Sequence, residues 1–283
     1  MNPMTAAPTL TDTLARIQRL PVMSAVAMEV LQSLNGADLD VDALARRIAQ
    51  DQAIAARVLR VANSPFYGMA GRVASIHDAI MVLGLSAVRS LVLAAAVVTA
   101  LPAGHCPGFD ERRFWHHVIG TAAAAEAMGK ALRRSPGHLF LAGLIHDIGR
   151  LALVTLYPAD YAGVLRRAGE RDAQLIDVEL EIFGFDHAEA GAALARRWNF
   201  PDEIADALAC HHAPERSQPG GLAGVLHYAD AIAQALDLDG ETDSQIPRLH
   251  AATVDALGLG RDDLHGVLAG TRARFDSYCL LLG

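Results

Sequence analysis

Cysteine is scarce in this chain: three among 283 residues, Cys106, Cys210 and Cys279, far apart and without a CxxC pair. That spacing excludes a disulfide framework and a zinc-finger knuckle, and makes a reducing cytoplasm the natural compartment. Aromatic residues are only 5%, and the 52% hydrophobic share is mostly Ala, Leu and Val, which favours helices over sheets. Excess positive charge is missing as well. A formal charge of −8 argues against non-specific binding to nucleic acid or to an anionic membrane, since both need a basic surface. The first residues, Met1 to Pro8, have neither the basic nor the apolar region of a signal peptide. The longest apolar stretch read from the sequence, Leu91 to Leu101, is interrupted only by Thr99 and stops short of the roughly 20 residues that cross a bilayer. No alternating strand, low-complexity tract or repeat is found. What is left is a compact, all-α, cytoplasmic chain with no membrane partner.

Start and stop signals divide that chain into helices. A tail over 1–10 precedes a weak helix from Asp12 to Leu20, and Ser24 to Leu34 forms a second, stopped by Asn35-Gly36. Asp40 caps a third, with Val41, Leu44 and Ile48 on one face, and a fourth runs from Ile54 to Ala62. Ser75 to Asp78 has the form of a capping box, opening a short helix that ends at Gly84, and Ser86 caps a longer one to Ala100. Pro and Gly crowd the linker from Leu101 to Phe109. Beyond it, Glu111–Leu132, a helix starting at Ser135-Pro136 and ending near Pro158, Asp172–Phe183, a helix from the Asp186 cap to Trp198, Pro201–His212, Leu222–Leu236 and two helices after Ile246 complete the chain. The expected organisation is a flexible tail over 1–10, an N-terminal helical subdomain over 11–101 and a metal-binding helical subdomain over 108–283.

His146-Asp147 is the feature that points to chemistry. It falls in the middle of Leu139 to Val154, which is otherwise almost wholly apolar and reads as one buried helix. A buried carboxylate must be paired, hydrogen-bonded or metal-bound, and an imidazole beside a carboxylate suits zinc, iron or manganese. Gly143 and Gly149 would let other helices come close. Further candidates follow in order: His117, His187, His211, His212 and Asp230. Each has a structural reading when taken alone. Singly, His117 reads as a hydrogen-bonded core histidine before it reads as a ligand, and His116 is the alternative inward-facing residue. His187 sits beside a helix cap, and His211-His212 at a helix end, where imidazolium complements the macrodipole. Asp230 lies in the apolar run Leu222 to Ile232 and is the least ambiguous. Taken together, on five separate helices, chance explains them poorly.

The order His117, His146-Asp147, Asp230 resembles the HD superfamily of metal-dependent phosphohydrolases, and His187 with His211-His212 resembles the wider two-metal pocket of the HD-GYP phosphodiesterases. More closely, the chain resembles the HDOD family, the HD-related output domains of bacterial signalling proteins. Leu20-Pro21, Val58 to Ser64, Ser75 to Gly84, Trp115 to His117, Ala142 to Arg150, Trp198 to Pro201 and His211 to Pro214 carry that likeness, over roughly residues 15–240. It implies an HD-like helical bundle packed on an N-terminal helical subdomain, and one or two divalent transition metals (Fe, Mn or Zn). One metal would take His117, His146, Asp147 and Asp230; a second would share Asp147 with His187, His211 and His212.

The sequence departs from the phosphodiesterase pattern at three places. Arg150 replaces a Lys, Arg113 replaces a metal-holding Glu, and Ala-Pro-Glu-Arg-Ser follows His211-His212 where an Asp-Gly-x-Gly-Tyr-Pro segment would stand. Arg clamps a phosphate but is a poor proton donor. The resemblance therefore implies a signalling module that holds metal with little or no turnover, working with a signalling protein partner and a nucleotide or phosphate-containing ligand. The alternative is a metal-dependent phosphohydrolase acting on a phosphodiester or cyclic nucleotide, with Asp147 and Arg150 as its catalytic residues. A third class is DNA binding: Asp42 to Val58 has helix-turn-helix rhythm with Arg46, Arg47 and Arg57, but its turn lacks a Gly and the chain is acidic.

Overall fold

The computed structural model describes residues 8–33, 40–69, 71–101, 105–238 and 249–283, and among them every regular element is helical. The elements are α1 (Leu10–Ile17), α2 (Ala25–Ser33), α3 (Val41–Gln50), α4 (Gln52–Ala62), α5 (Ile76–Leu83), α6 (Leu85–Ala100), α7 (Glu111–Ala131) and α8 (Pro136–Ile145). They continue with α9 (Ile148–Leu156), α10 (Pro158–Arg171), α11 (Leu175–Phe183), α12 (His187–Arg197), α13 (Asp202–Cys210), α14 (Leu222–Ala235), α15 (Ala251–Leu257) and α16 (Arg261–Cys279). Single 3₁₀ turns follow α4 (Pro65–Tyr67) and α13 (Pro214–Arg216).

Local chemistry explains most of the boundaries. The Asp40 carboxylate accepts from the backbone N–H groups of Asp42 and Ala43, and Ser75 and Asp78 make both bonds of the capping box. Asp51 caps α4, which therefore starts two residues before Ile54. Three expectations need correction. Ser86 lies inside α6; the junction is Gly84 (φ +86°), whose left-handed backbone lets α6 follow α5 without a loop. Pro158 both ends one helix and opens another, α10, because a proline needs no donor in a first turn. Most important, the apolar run from Leu139 to Val154 is not one helix. It breaks at His146-Asp147, where Asp147 adopts φ −100° and ψ 12°. The proposed stop at Asn35-Gly36, the start of the tail and residues 102–104 of the linker lie outside the described residues.

The longest helix, α7, is the axis, with α8, α14 and α16 packed around it. Helix α12 packs on α13 and α9, and α6 crosses α8 and carries α2 and α4. Helix α1 lies on α12 and α9, where Thr13 and Tyr157 share a buried hydroxyl–hydroxyl bond of 2.9 Å. The buried apolar side chains form one continuous cluster from Ile17 to Leu281. Residues Pro136–Leu156 are, by length and composition, apolar enough to cross a membrane, although His146-Asp147 and Arg150 interrupt them, and 83% of their most apolar 18-residue window is buried inside the fold.

Candidate metal centre

Two glycines bring the helices of the site together. A Cβ on Gly143 would lie 2.8 Å from the Cα of Ala122, so α8 meets α7 at backbone contact. A Cβ on Gly149 would collide with the carbonyl oxygen of His187 and reach within 2.5 Å of the Gly191 nitrogen, so α9 and α12 cross backbone against backbone. The break between α8 and α9 then turns His146 and Asp147 into the space these crossings enclose.

There the predicted residues converge. Asp147 Oδ1 is faced by Nε2 of His187 at 3.2 Å, of His211 at 3.4 Å and of His146 at 3.6 Å. Asp147 Oδ2 lies 3.9 Å from His117 Nε2, which is 3.2 Å from Asp230 Oδ1. His212 Nε2 is 2.8 Å from His187 Nε2. Two groups of would-be ligand atoms result, His117 with His146 and Asp230, and Asp147 with His187, His211 and His212; within each, all ligand atoms lie within 4.8 Å of one another. The inward histidine of α7 is His117; His116 packs edge-on against Phe275.

The hydrogen-bond pattern suits a cation. His146 and His211 each have Nδ1 fixed by a main-chain carbonyl, Gly143 O and Leu208 O, both at 2.7 Å, which leaves Nε2 turned inward. Those two Nε2 atoms and Asp147 Oδ1 are buried and make no hydrogen bond, although they lie side by side. Buried polar atoms are normally satisfied, so three atoms without a hydrogen bond around one point make a cluster that could hold an ion.

Electrostatics follows the same geometry. Burial pushes the Asp147 carboxyl up, but His146 and His187 outweigh it and hold the group well below the ordinary carboxylate range. Asp230 is likewise held low against burial by its bond to His117. Burial lowers His146 to about 4, and burial with His211 and His187 takes His212 well down. His187 goes the other way: burial opposes its charge, yet Glu179 and Asp147 raise it to about 10. Arg150 stays charged, its Nη1 donating to Asp147 Oδ2 at 3.1 Å above the ring of Phe114.

Sequence reasoning missed the supporting residues. Glu179, fully buried on α11, accepts from both Nδ1 and the backbone N–H of His187, at 2.6 and 2.8 Å. Gln234 donates to Asp230 at 2.9 Å, and His227 Nδ1 lies 2.9 Å from the His211 carbonyl. Little in the sequence distinguishes Glu179: it is one of three acidic residues, with Asp177 and Glu181, in Leu175 to Phe183.

The HDOD domain model matches residues 20–214, more than half of the chain. This chain belongs to the HDOD family. A crystal structure of a protein from Shewanella amazonensis SB2B, provisionally named a phosphohydrolase, is similar to this HDOD chain with 31% identity and a TM-score of 0.77. It aligns over 96% of this chain and 98% of that one. A provisionally named signal transduction protein from Marinobacter aquaeolei VT8 is 25% identical with a TM-score of 0.75, over 95% of this chain and 63% of that one. An uncharacterized protein of Treponema pallidum (strain Nichols) is 27% identical over 241 residues, 82% of this chain; the HDOD chain spans only 45% of that relative's length.

Proposed function

We propose that this HDOD protein is a regulatory module whose pocket holds one or two divalent transition metals, iron, manganese or zinc, with little or no turnover. The observation that carries this reading is the set of three buried atoms without a hydrogen bond, His146 Nε2, His211 Nε2 and Asp147 Oδ1, turned toward one another. One ion would be held by His117, His146, Asp147 and Asp230, the other by Asp147, His187, His211 and His212. A metal bound there supplies Lewis acidity toward a phosphoryl oxygen. The protein's own residues supply less. Of the charged groups touching the cluster, Arg150 has no ligand role and reaches toward solvent, with a side chain 21% exposed. It orients a phosphate-containing ligand such as a nucleotide, but a permanently charged guanidinium donates no proton to a leaving group. The name of the Marinobacter relative supports a signalling setting, in which a partner protein reads the state of the module through the helices preceding residue 101.

The competing reading is a working phosphohydrolase on a phosphodiester or cyclic nucleotide, favoured by the shared carboxylate of Asp147 and by the name of the Shewanella relative. One experiment separates the two. Purified protein is analysed for metal and then screened against phosphodiesters and nucleotides, beside Asp147→Ala. One to two metal equivalents per chain without turnover supports the regulatory reading. Turnover that disappears in a folded Asp147→Ala replaces it with the enzyme, and absence of metal after reconstitution removes both.

A further inference from the structure

Behind the metal centre stands a second row of buried groups joined in a ring. Glu179 Oε2 takes the two bonds from His187, and Glu179 Oε1 accepts from the Tyr161 hydroxyl at 2.7 Å. Tyr161, also fully buried, lies within the electrostatic reach of the Arg150 guanidinium, which donates to Asp147 Oδ2 at 3.1 Å. The ring closes where Asp147 Oδ1 faces His187 Nε2 at 3.2 Å. Helices α9, α10, α11 and α12 thus each contribute to one polar circuit in the pocket wall.

The circuit treats one histidine differently from its neighbours. His146 and His211 have Nδ1 fixed by neutral main-chain carbonyls three residues earlier in their own helices. His187 lies at the first position of α12, has no such carbonyl behind it, and is held by a full carboxylate from another helix. A carboxylate on the far nitrogen fixes which ring atom faces the metal and makes it a stronger donor. Burying the Glu179 carboxylate is costly unless its oxygens are hydrogen-bonded, and three donors engage both of them. We propose that Glu179 is a positioning residue of the metal centre: it presents His187 Nε2 as the ligand atom and strengthens it, while Tyr161 and Arg150 keep Glu179 and Asp147 in register.

This inference rests on the metal reading above, so its test has an arm that needs no metal. In ¹⁵N-edited spectra of the metal-free protein, the His187 Nδ1 proton sits in a charge-assisted bond and resonates far downfield. Glu179→Gln, which keeps the size of the side chain but not its charge, moves that signal upfield. In cobalt titrations the same variant weakens the His187 site 10–100-fold and leaves the His117 site unchanged, a split that general loosening of the fold does not produce. Tyr161→Phe has the same direction with a smaller, severalfold loss, and carries the test if Glu179→Gln does not fold. An unmoved Nδ1 signal together with unchanged cobalt affinity overturns the proposal. A wild-type protein that takes up no cobalt defeats the metal reading instead, and the proton signal still decides whether Glu179 orients the ring.

Discussion

Two regions of the described chain bury polar groups in opposite ways. Up to residue 101 the buried polar side chains are Thr13, Ser33, Ser64 and Ser90, none of them ionisable. From 146 to 230 they are His146, Asp147, Glu179, His187, His211, His227 and Asp230, all ionisable. The same chain packs helices with a dry interior where nothing else is required, so the charged interior of the other half is not a consequence of helix packing. Removing charges from water costs several kcal/mol each unless they are paired, and natural cores avoid it. The contrast therefore singles out the candidate site without reference to any motif.

The sharpest way to test that contrast is to damage each interior separately. Leu93→Ala, in the dry core of α6, is expected to cost about 2–5 kcal/mol of stability while metal per folded chain stays the same. His146→Ala reverses the pattern, abolishing metal at its cluster and destabilising the metal-free protein less than Leu93→Ala does. Urea denaturation with metal analysis reads both; equal metal loss in the two variants would erase the distinction. Gly149→Ala should join the two effects, because its methyl group meets main chain on α12 that cannot rotate away. A loss of about 3 kcal/mol is expected, with metal lost alongside, and retention of both would show that the crossing has slack.

A further test is the pH profile of the metal-free protein. His146, lowered to about 4, takes up a proton on unfolding between about pH 6.5 and 4, so stability falls with acidification in that window. Asp147 and Asp230, held low, add to the same acid side. His187, raised to about 10, gives up its proton on unfolding between about pH 6.5 and 10, so stability falls again toward alkaline pH. The expected maximum lies near pH 6.5. A cation at His187 displaces about one proton near neutral pH and removes the alkaline decline. Calorimetry in two buffers of different ionisation heat measures that proton.

Much of this was legible in the sequence because caps and ligands are local signals. Asp40, Ser75 and Asp186 announce helix starts by their own chemistry, Asp230 stands out against apolar neighbours, and His117, His187 and His211 gain meaning from their order along the chain. The helix break at His146-Asp147 was not legible, since the residues on both sides favour helix and only the tertiary enclosure turns the pair inward. The helix Pro158–Arg171 was missed because proline was read as an ending and not as a first turn. Glu179 was missed for another reason: an acidic residue in a nine-residue helix is unremarkable until the fold sets it behind His187.

The crossing of α9 on α12 has a mechanical consequence. Where main chain already touches main chain, the helices have a hard stop: Asp147 and His187 cannot be pressed nearer, only spread. Ions of different radius must be accommodated by rotating rings, while any motion of the helices themselves runs one way, toward a looser grip.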